Sequence, residues 1–315
     1  MSELEEIVAA REAIAGRLVR TPLLDVSESF PEPRVQLFFK PEMLQKTGSF
    51  KIRGVLNKLA SLSQEDKARG VVGMSSGNHA QALAYGARTI GAPATIVMPT
   101  YSVDYKIEAT KTYGAEVVMC EASELLATYE RVRAERNLAP VHPFDDPKII
   151  AGAGTIGLEL EEDIPDLDVV FVSVGGGGLL SGVATALKLR RPAIRVVGVE
   201  PEGAAALRKS LDAGRLVTLD KVDTVADGLA PPFTGETVYD RVRRYVDDVI
   251  TVSDKQIIKA MREIVERAKL VAEPSAAASL AGLLSGQIVV DDGAKVACIL
   301  SGGNINASRL QTLLD

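Results

Sequence analysis

From Gly70 onward the sequence alternates short apolar runs with longer stretches of helical spacing, and this alternation restricts the possible folds more than any other feature. Residues 71–74, 94–98 and 116–120 read as strands, and 79–90, 105–113 and 123–135 as the helices between and after them. Strands separated by helices of this length predict a parallel sheet wound on both faces. The pattern breaks at His142-Pro143-Phe144-Asp145-Asp146-Pro147, where two prolines and no periodicity mark a crossover between domains. A second series follows, with strands at 169–174, 195–199 and 296–300 and helices over 179–189 and from Asp254 and Ser275. The 70–146 segment interrupts a pattern that 1–69 begins and 147–315 completes, so we expect an α/β fold of two doubly wound open sheets, a small domain inserted in a larger one. Ligands of such sheets sit at the carboxyl ends of the strands.

The chain as a whole sets broad limits. With 315 residues, 46% hydrophobic and 25% charged, it can bury a large core. A net charge of −6 argues against a general nucleic-acid surface. Cys120 and Cys298 lie in apolar strand-like runs, which predicts buried thiols and a reducing compartment. The acidic amphipathic start, MSELEEIVAAREAI, lacks the apolar core of a signal peptide, and no later run reaches membrane-spanning length. These features predict a cytoplasmic protein with no membrane partner.

Four strand-end segments carry chemistry. In KPEMLQKTGSFKIRG, at 40–54, apolar residues over 35–40 form a strand, Gly48 and Ser49 break and cap, and 50–59 has helical spacing. Lys51 then falls in a first helical turn, where partial positive charge favours the free amine, the form that condenses with a carbonyl. A solvated helix-start lysine is the plainer alternative, and Lys46, in the preceding loop, is expected to be exposed. Ser75-Ser76-Gly77-Asn78-His79 presents hydroxyls and backbone N–H groups suited to a carboxylate, against simple capping by Ser76 or Asn78. Gly175, Gly176, Gly177 and Gly178 let the backbone approach a phosphate, and match neither a Walker loop nor G-x-G-x-x-G with an acidic ribose partner. Ser301, opening Ser301-Gly302-Gly303-Asn304, offers a neutral hydroxyl that could meet a ring nitrogen, or an ordinary turn.

A lysine after TGSF, then SSGNH, GGGG and SGGN in this order, resembles the fold-type II pyridoxal-phosphate enzymes, in particular the serine/threonine dehydratase and serine racemase group. The likeness runs almost from end to end. It implies that Lys51 carries pyridoxal 5′-phosphate covalently, Phe50 packs beside its ring, Asn78 bonds the ring's 3′-oxygen, the four glycines cradle the phosphate, and Ser301 faces the ring nitrogen. Gly228, in Ala226-Asp227-Gly228, and Glu273 match positions lining the same pocket. Ser75, Ser76, Asn78 and His79 resemble the loop that takes the substrate carboxylate, His79 chiefly through its backbone.

The implied chemistry is removal of a Cα proton by the freed Lys51 amine while the cofactor takes up the electrons, followed by loss of a β-hydroxyl to give a 2-oxo acid and ammonia. L-threonine and L-serine are the expected substrates, with 3-hydroxyaspartate an alternative. Racemisation needs an acid on the second face, the position that Ser76 matches. The stretch 123–127 lacks the arginine of animal serine racemases. Where related metal sites pair a glutamate, here Glu200, with an aspartate six residues on, this chain has Ala206, leaving half a divalent-cation site or merely a strand-end acid. The chain stops at Asp315, soon after SGGN, so an appended regulatory domain is not expected. A homodimer is implied. A non-catalytic cofactor-binding protein is the reading from another class, and a nicotinamide oxidoreductase lacks its fingerprint.

Overall fold

The computed structural model describes residues 1–31 and 33–315 and contains two separate sheets. The larger is built from β1 (Leu24–Asp25), β2 (Gln36–Pro41), β7 (Val169–Ser173), β8 (Arg195–Pro201), β9 (Asp248–Val252) and β10 (Lys295–Leu300), in the order β1-β2-β10-β7-β8-β9. Only β1 runs antiparallel to its neighbour. The smaller sheet comprises β3 (Val71–Met74), β4 (Ala94–Pro99), β5 (Glu116–Cys120) and β6 (Ala139–Pro140), all parallel, in the order β5-β4-β3-β6. The near-continuous apolar character of β7, β8 and β10 follows from burial on both faces.

The register of the larger sheet assembles the site. β10 lies between β2 and β7, with Leu300 level with Pro41 and Ile299 level with Val172. Three of the four chemistry-bearing segments therefore leave adjacent parallel strands at the same edge. The fourth follows β3 of the smaller sheet.

The elements that the sequence reading named lie within about two residues of those observed, but it passed over β1, β6, β9 and several helices, the longest of them the 17-residue Pro147–Asp163. Its start is conventional, with Asp146 accepting from the Lys148 N–H at 2.8 Å and proline in the first turn. Its interior reads Gly152-Ala153-Gly154-Thr155-Ile156-Gly157, which looks like a break in a helix. Those glycines are contact surfaces. A Cβ on Gly152 would lie 2.6 Å from the Arg53 carbonyl oxygen, and one on Gly154 would lie 2.8 Å from that of Gly182. Close approach of two neighbouring helices thus compensates for the poor propensity.

The helix Lys51–Ala60 buries Ile52, Val55, Leu56 and Leu59 in one cluster with Val71, Leu83 and Ile96 of the small sheet and its helices. Phe50, just before it, packs instead against the large-sheet cluster containing Val172, Val174 and Phe144. Both cysteines are buried and unpaired, as expected. Among the described residues no helix is long and apolar enough to cross a membrane.

Candidate active site

Beyond β2 the chain makes two short 3-10 turns, Glu42–Leu44 and Lys46–Gly48, before the helix Lys51–Ala60 begins. Thr47 and Gly48 both adopt positive φ, 63° and 70°. The Phe50 N–H donates to the Ser301 carbonyl at 3.0 Å and the Gly303 N–H to the Gly48 carbonyl at 3.0 Å, locking this loop to the one after β10. The expected cap by Ser49 is not formed: Phe50 stands at the N-cap position, and the Ser49 hydroxyl is buried without a partner among the described residues. Lys46 is likewise not exposed. It is half-buried and donates to the Arg17 carbonyl at 2.7 Å.

Lys51 is the first residue of its helix and donates from Nζ to the Pro143 carbonyl at 2.7 Å. Burial lowers its ammonium to about 8, partly opposed by the negative charge of Glu273. The free amine foreseen for this lysine is thus favoured by desolvation. Two residues on, Arg53 is buried and binds both oxygens of Glu42 at 2.8 Å, and those of Glu159 at 2.7 and 3.0 Å. Lys40 reaches the same Glu159 at 2.7 Å. This charge cluster fixes the helix that presents Lys51 to the loop after β2 and to the helix Pro147–Asp163.

Across the cavity, Ser75, Ser76 and Gly77 lead into the helix Asn78–Thr89, whose N-terminus has no side-chain cap. Neither Ser76 nor Asn78 caps it. The Ser75 hydroxyl accepts from the Gly77 N–H at 3.1 Å, whereas the Ser76 hydroxyl has no hydrogen-bond partner among the described residues and the residue lines the cavity. Asn78 donates to Glu273 Oε1 at 2.5 Å and accepts from Asn304 Nδ2 at 2.9 Å. The His79 ring turns away and bonds through Nε2 to the Val141 carbonyl at 3.0 Å. Burial, with Lys51 nearby, holds its pKa at about 3, so the ring is neutral and Nε2–H donates.

The glycine loop joins β7 to the helix Gly178–Arg190, which is also uncapped, with Gly177 at φ +86°. A Cβ on Gly175 would lie 2.9 Å from Leu229 Cα and one on Gly178 would lie 2.8 Å from the Phe144 carbonyl, while one on Gly176 would enter the Phe144 ring. The backbone is thus packed so closely that only glycine fits. The helix Pro274–Leu284, which starts after Glu273, has no side-chain cap either. Burial raises Glu273 to about 7, opposed by Lys106, and its Oε2 has no partner among the described residues. The Gly228 N–H donates to Ser275 Oγ at 3.0 Å, and Ser301 is buried with its side chain at the cavity.

All these segments line one cavity of about 620 Å³, the size of a site for a small cofactor and substrate. Phe50, Lys51, Ser75, Ser76, Asn78, His79, all four glycines, Gly228, Glu273 and Ser301 meet there. Glu200 does not. Its two oxygens accept from the Leu207 and Arg208 N–H groups at 2.9 and 2.7 Å, capping the helix Ala206–Ala213 from outside. Burial raises it to about 7 against those two bonds. Among the described residues no three His, Cys, Asp or Glu side chains are grouped to hold a metal. The sequence reading missed Lys106, Asp227, Ser275 and Asn304. Only Asp227 and Asn304 carried a signal, since each stands inside a quoted motif without having been assigned a role.

The family model for pyridoxal-phosphate dependent enzymes matches residues 14–302. The chain belongs to that family. It is 42% identical to an L-threonine ammonia-lyase of Thermotoga maritima, over all of this chain and 79% of the relative. It is 38% identical to the catabolic L-threonine dehydratase TdcB of Escherichia coli, over 98% of this chain and 95% of the relative. A solved structure of maize serine racemase superposes with a TM-score of 0.94 at 38% identity, covering 98% of this chain and 95% of that one. The fold-type II architecture foreseen from the four motifs is the one observed.

Proposed function

We propose that this chain is a pyridoxal-phosphate-dependent ammonia-lyase of L-threonine and L-serine. The observation that carries the reading is the meeting, in one cavity, of a lysine amine lowered to about 8, an uncapped hydroxyl-bearing loop and a glycine cradle at a second uncapped helix. These residues fit the family's cofactor. Lys51 would hold it covalently, Gly175, Gly176, Gly177 and Gly178 its phosphate, Asn78 its ring oxygen and Ser301 its ring nitrogen, with Phe50 beside the ring. When bound, it supplies a sink for the electrons released at the substrate Cα.

The chain's own groups do the remainder. Backbone N–H groups at the start of Asn78–Thr89, with Ser75 and Ser76, bind the substrate carboxylate. The Lys51 amine, partly unprotonated near neutral pH, removes the Cα proton. Ser301 would offer the ring nitrogen a neutral hydroxyl, which would not force that nitrogen to stay protonated and would suit elimination of the β-hydroxyl. Enclosure between the two sheets fixes the substrate and limits water. A serine racemase activity is the second reading, favoured by the free Ser76 hydroxyl on the cavity wall. 3-Hydroxyaspartate shares the amine, carboxylate and β-hydroxyl that these loops address. The reading extends to a cytoplasmic homodimer, with residues 70–146 as the inserted domain.

The test is incubation of the purified holoprotein with L-serine, L-threonine and 3-hydroxyaspartate, following 2-oxo acid and D-serine together, with Lys51→Ala as control. Oxo acid without D-serine is expected. No oxo acid from any of the three, with cofactor bound, overturns the lyase reading. If D-serine forms, Ser76→Ala should abolish it while sparing most elimination; equal loss of both would remove Ser76 from the second face.

A further inference from the structure

Lys106 lies in the helix Asp104–Thr112 beside the small sheet, yet its ammonium crosses to the other side of the cavity mouth. It donates to Asp227 Oδ2 at 2.6 Å, with a side chain only 2% exposed against 38% for Asp227. It also lies against the backbone of the carboxylate loop, since a Cβ on Gly77 would stand 2.9 Å from Lys106 Cδ and 3.2 Å from its Nζ. The neighbouring Tyr105 hydroxyl donates to the Asn304 carbonyl at 2.9 Å, a second tie across the same gap. Glu273 is the other charge whose field reaches this ammonium. Separating the two sides would leave Lys106 without its ion-pair partner.

We propose that the Lys106–Asp227 pair is a latch: it holds the 75–79 loop closed over the substrate carboxylate, making Lys106 and Asp227 positioning residues. This rests on the assignment of that loop to the carboxylate. A latch acts on the population of the closed form, so its loss raises the substrate concentration needed more than it slows the reaction once closed.

The experiment compares holoprotein carrying Asp227→Asn, which keeps shape and removes charge, with Lys106→Met, Asp227→Glu and the Asn/Met double variant. Amide hydrogen exchange of 75–79 and 104–112 is measured without substrate, and KM and kcat with L-threonine or L-serine. Asp227→Asn and Lys106→Met should each speed exchange in both segments and raise KM about tenfold with kcat within about threefold, while Asp227→Glu stays near the parent. The double variant should be no worse than either single. Unchanged exchange in Asp227→Asn overturns the latch whatever the kinetics, as does a fall in kcat at constant KM. If Lys106→Met does not fold, Asp227→Asn decides alone. Exchange needs no turnover, so the latch can fail or stand independently of the lyase reading.

Discussion

At the level of single residues, burial sets the chemistry. With the Lys51 amine at about 8, covalent capture of added pyridoxal phosphate by cofactor-free protein should accelerate about tenfold per pH unit below 8 and level off above, read as borohydride-fixed mass. Glu273 has the opposite sense. Its folded value of about 7 exceeds the unfolded 4.5, so the stability it contributes is complete below about 4.5 and is lost as pH rises through 7. Urea titrations of cofactor-free Glu273→Gln should therefore fall less between those two pH values than those of the parent. Gly176→Ala should abolish cofactor binding measured by absorbance, because the added Cβ enters the Phe144 ring. The four glycines stood out as an unusual composition between a strand and a helix, whereas Lys51 was singled out only by the joint order of the four motifs. Lys106 was not: a lysine inside an ordinary helix acquires its meaning only from Asp227, over a hundred positions away.

At the level of elements, helix starts divide the molecule. Ser2, Ser63, Asp146, Ser253 and Asn306 cap theirs with side chains, and Glu200 caps Ala206–Ala213 at a distance. The starts at Lys51, Asn78, Gly178 and Pro274 have no side-chain cap and bring residues to the cavity wall, as do the uncapped starts at Asp104 and Leu125. The uncapped Glu236–Tyr245 lies away from it, and its Val238 N–H donates to Asp145 instead. Glu200→Ala should cost about 1–3 kcal/mol by urea unfolding, through two unsatisfied N–H groups, with cofactor affinity unchanged. Added Mg²⁺ should not shift the parent's melting temperature through this residue, since both oxygens are engaged. The central strands were readable from apolar runs, though not the edge strands β1, β6 and β9, and the helices between the alternating runs were readable from their periodicity. Pro147–Asp163 was not, because Gly152, Gly154 and Gly157 are chosen for contacts with helices that a linear reading cannot bring alongside.

For the whole molecule, the two sheets share no strand and are joined by helices and by the site itself. Arg53 anchors this junction, and Arg53→Met would leave Glu42 and Glu159 facing each other with Lys40 alone for compensation. About 3–5 kcal/mol of stability should be lost in equilibrium unfolding, a change that Arg53→Met combined with Glu42→Gln should partly restore. The two-sheet plan was visible in the alternating runs, whereas the packing of the helix Lys51–Ala60 into the small sheet's core was not, since its apolar face suits either sheet. That packing has a physiological consequence. On the proposed reading the cofactor is tethered to a helix rooted in one core and seated by its phosphate in a loop of the other, so loading splints the two together and adds its binding energy to the fold. On that reading cofactor-free protein should be cleaved faster than loaded protein in limited proteolysis, so that cofactor supply would govern how long each copy survives as well as how fast it works.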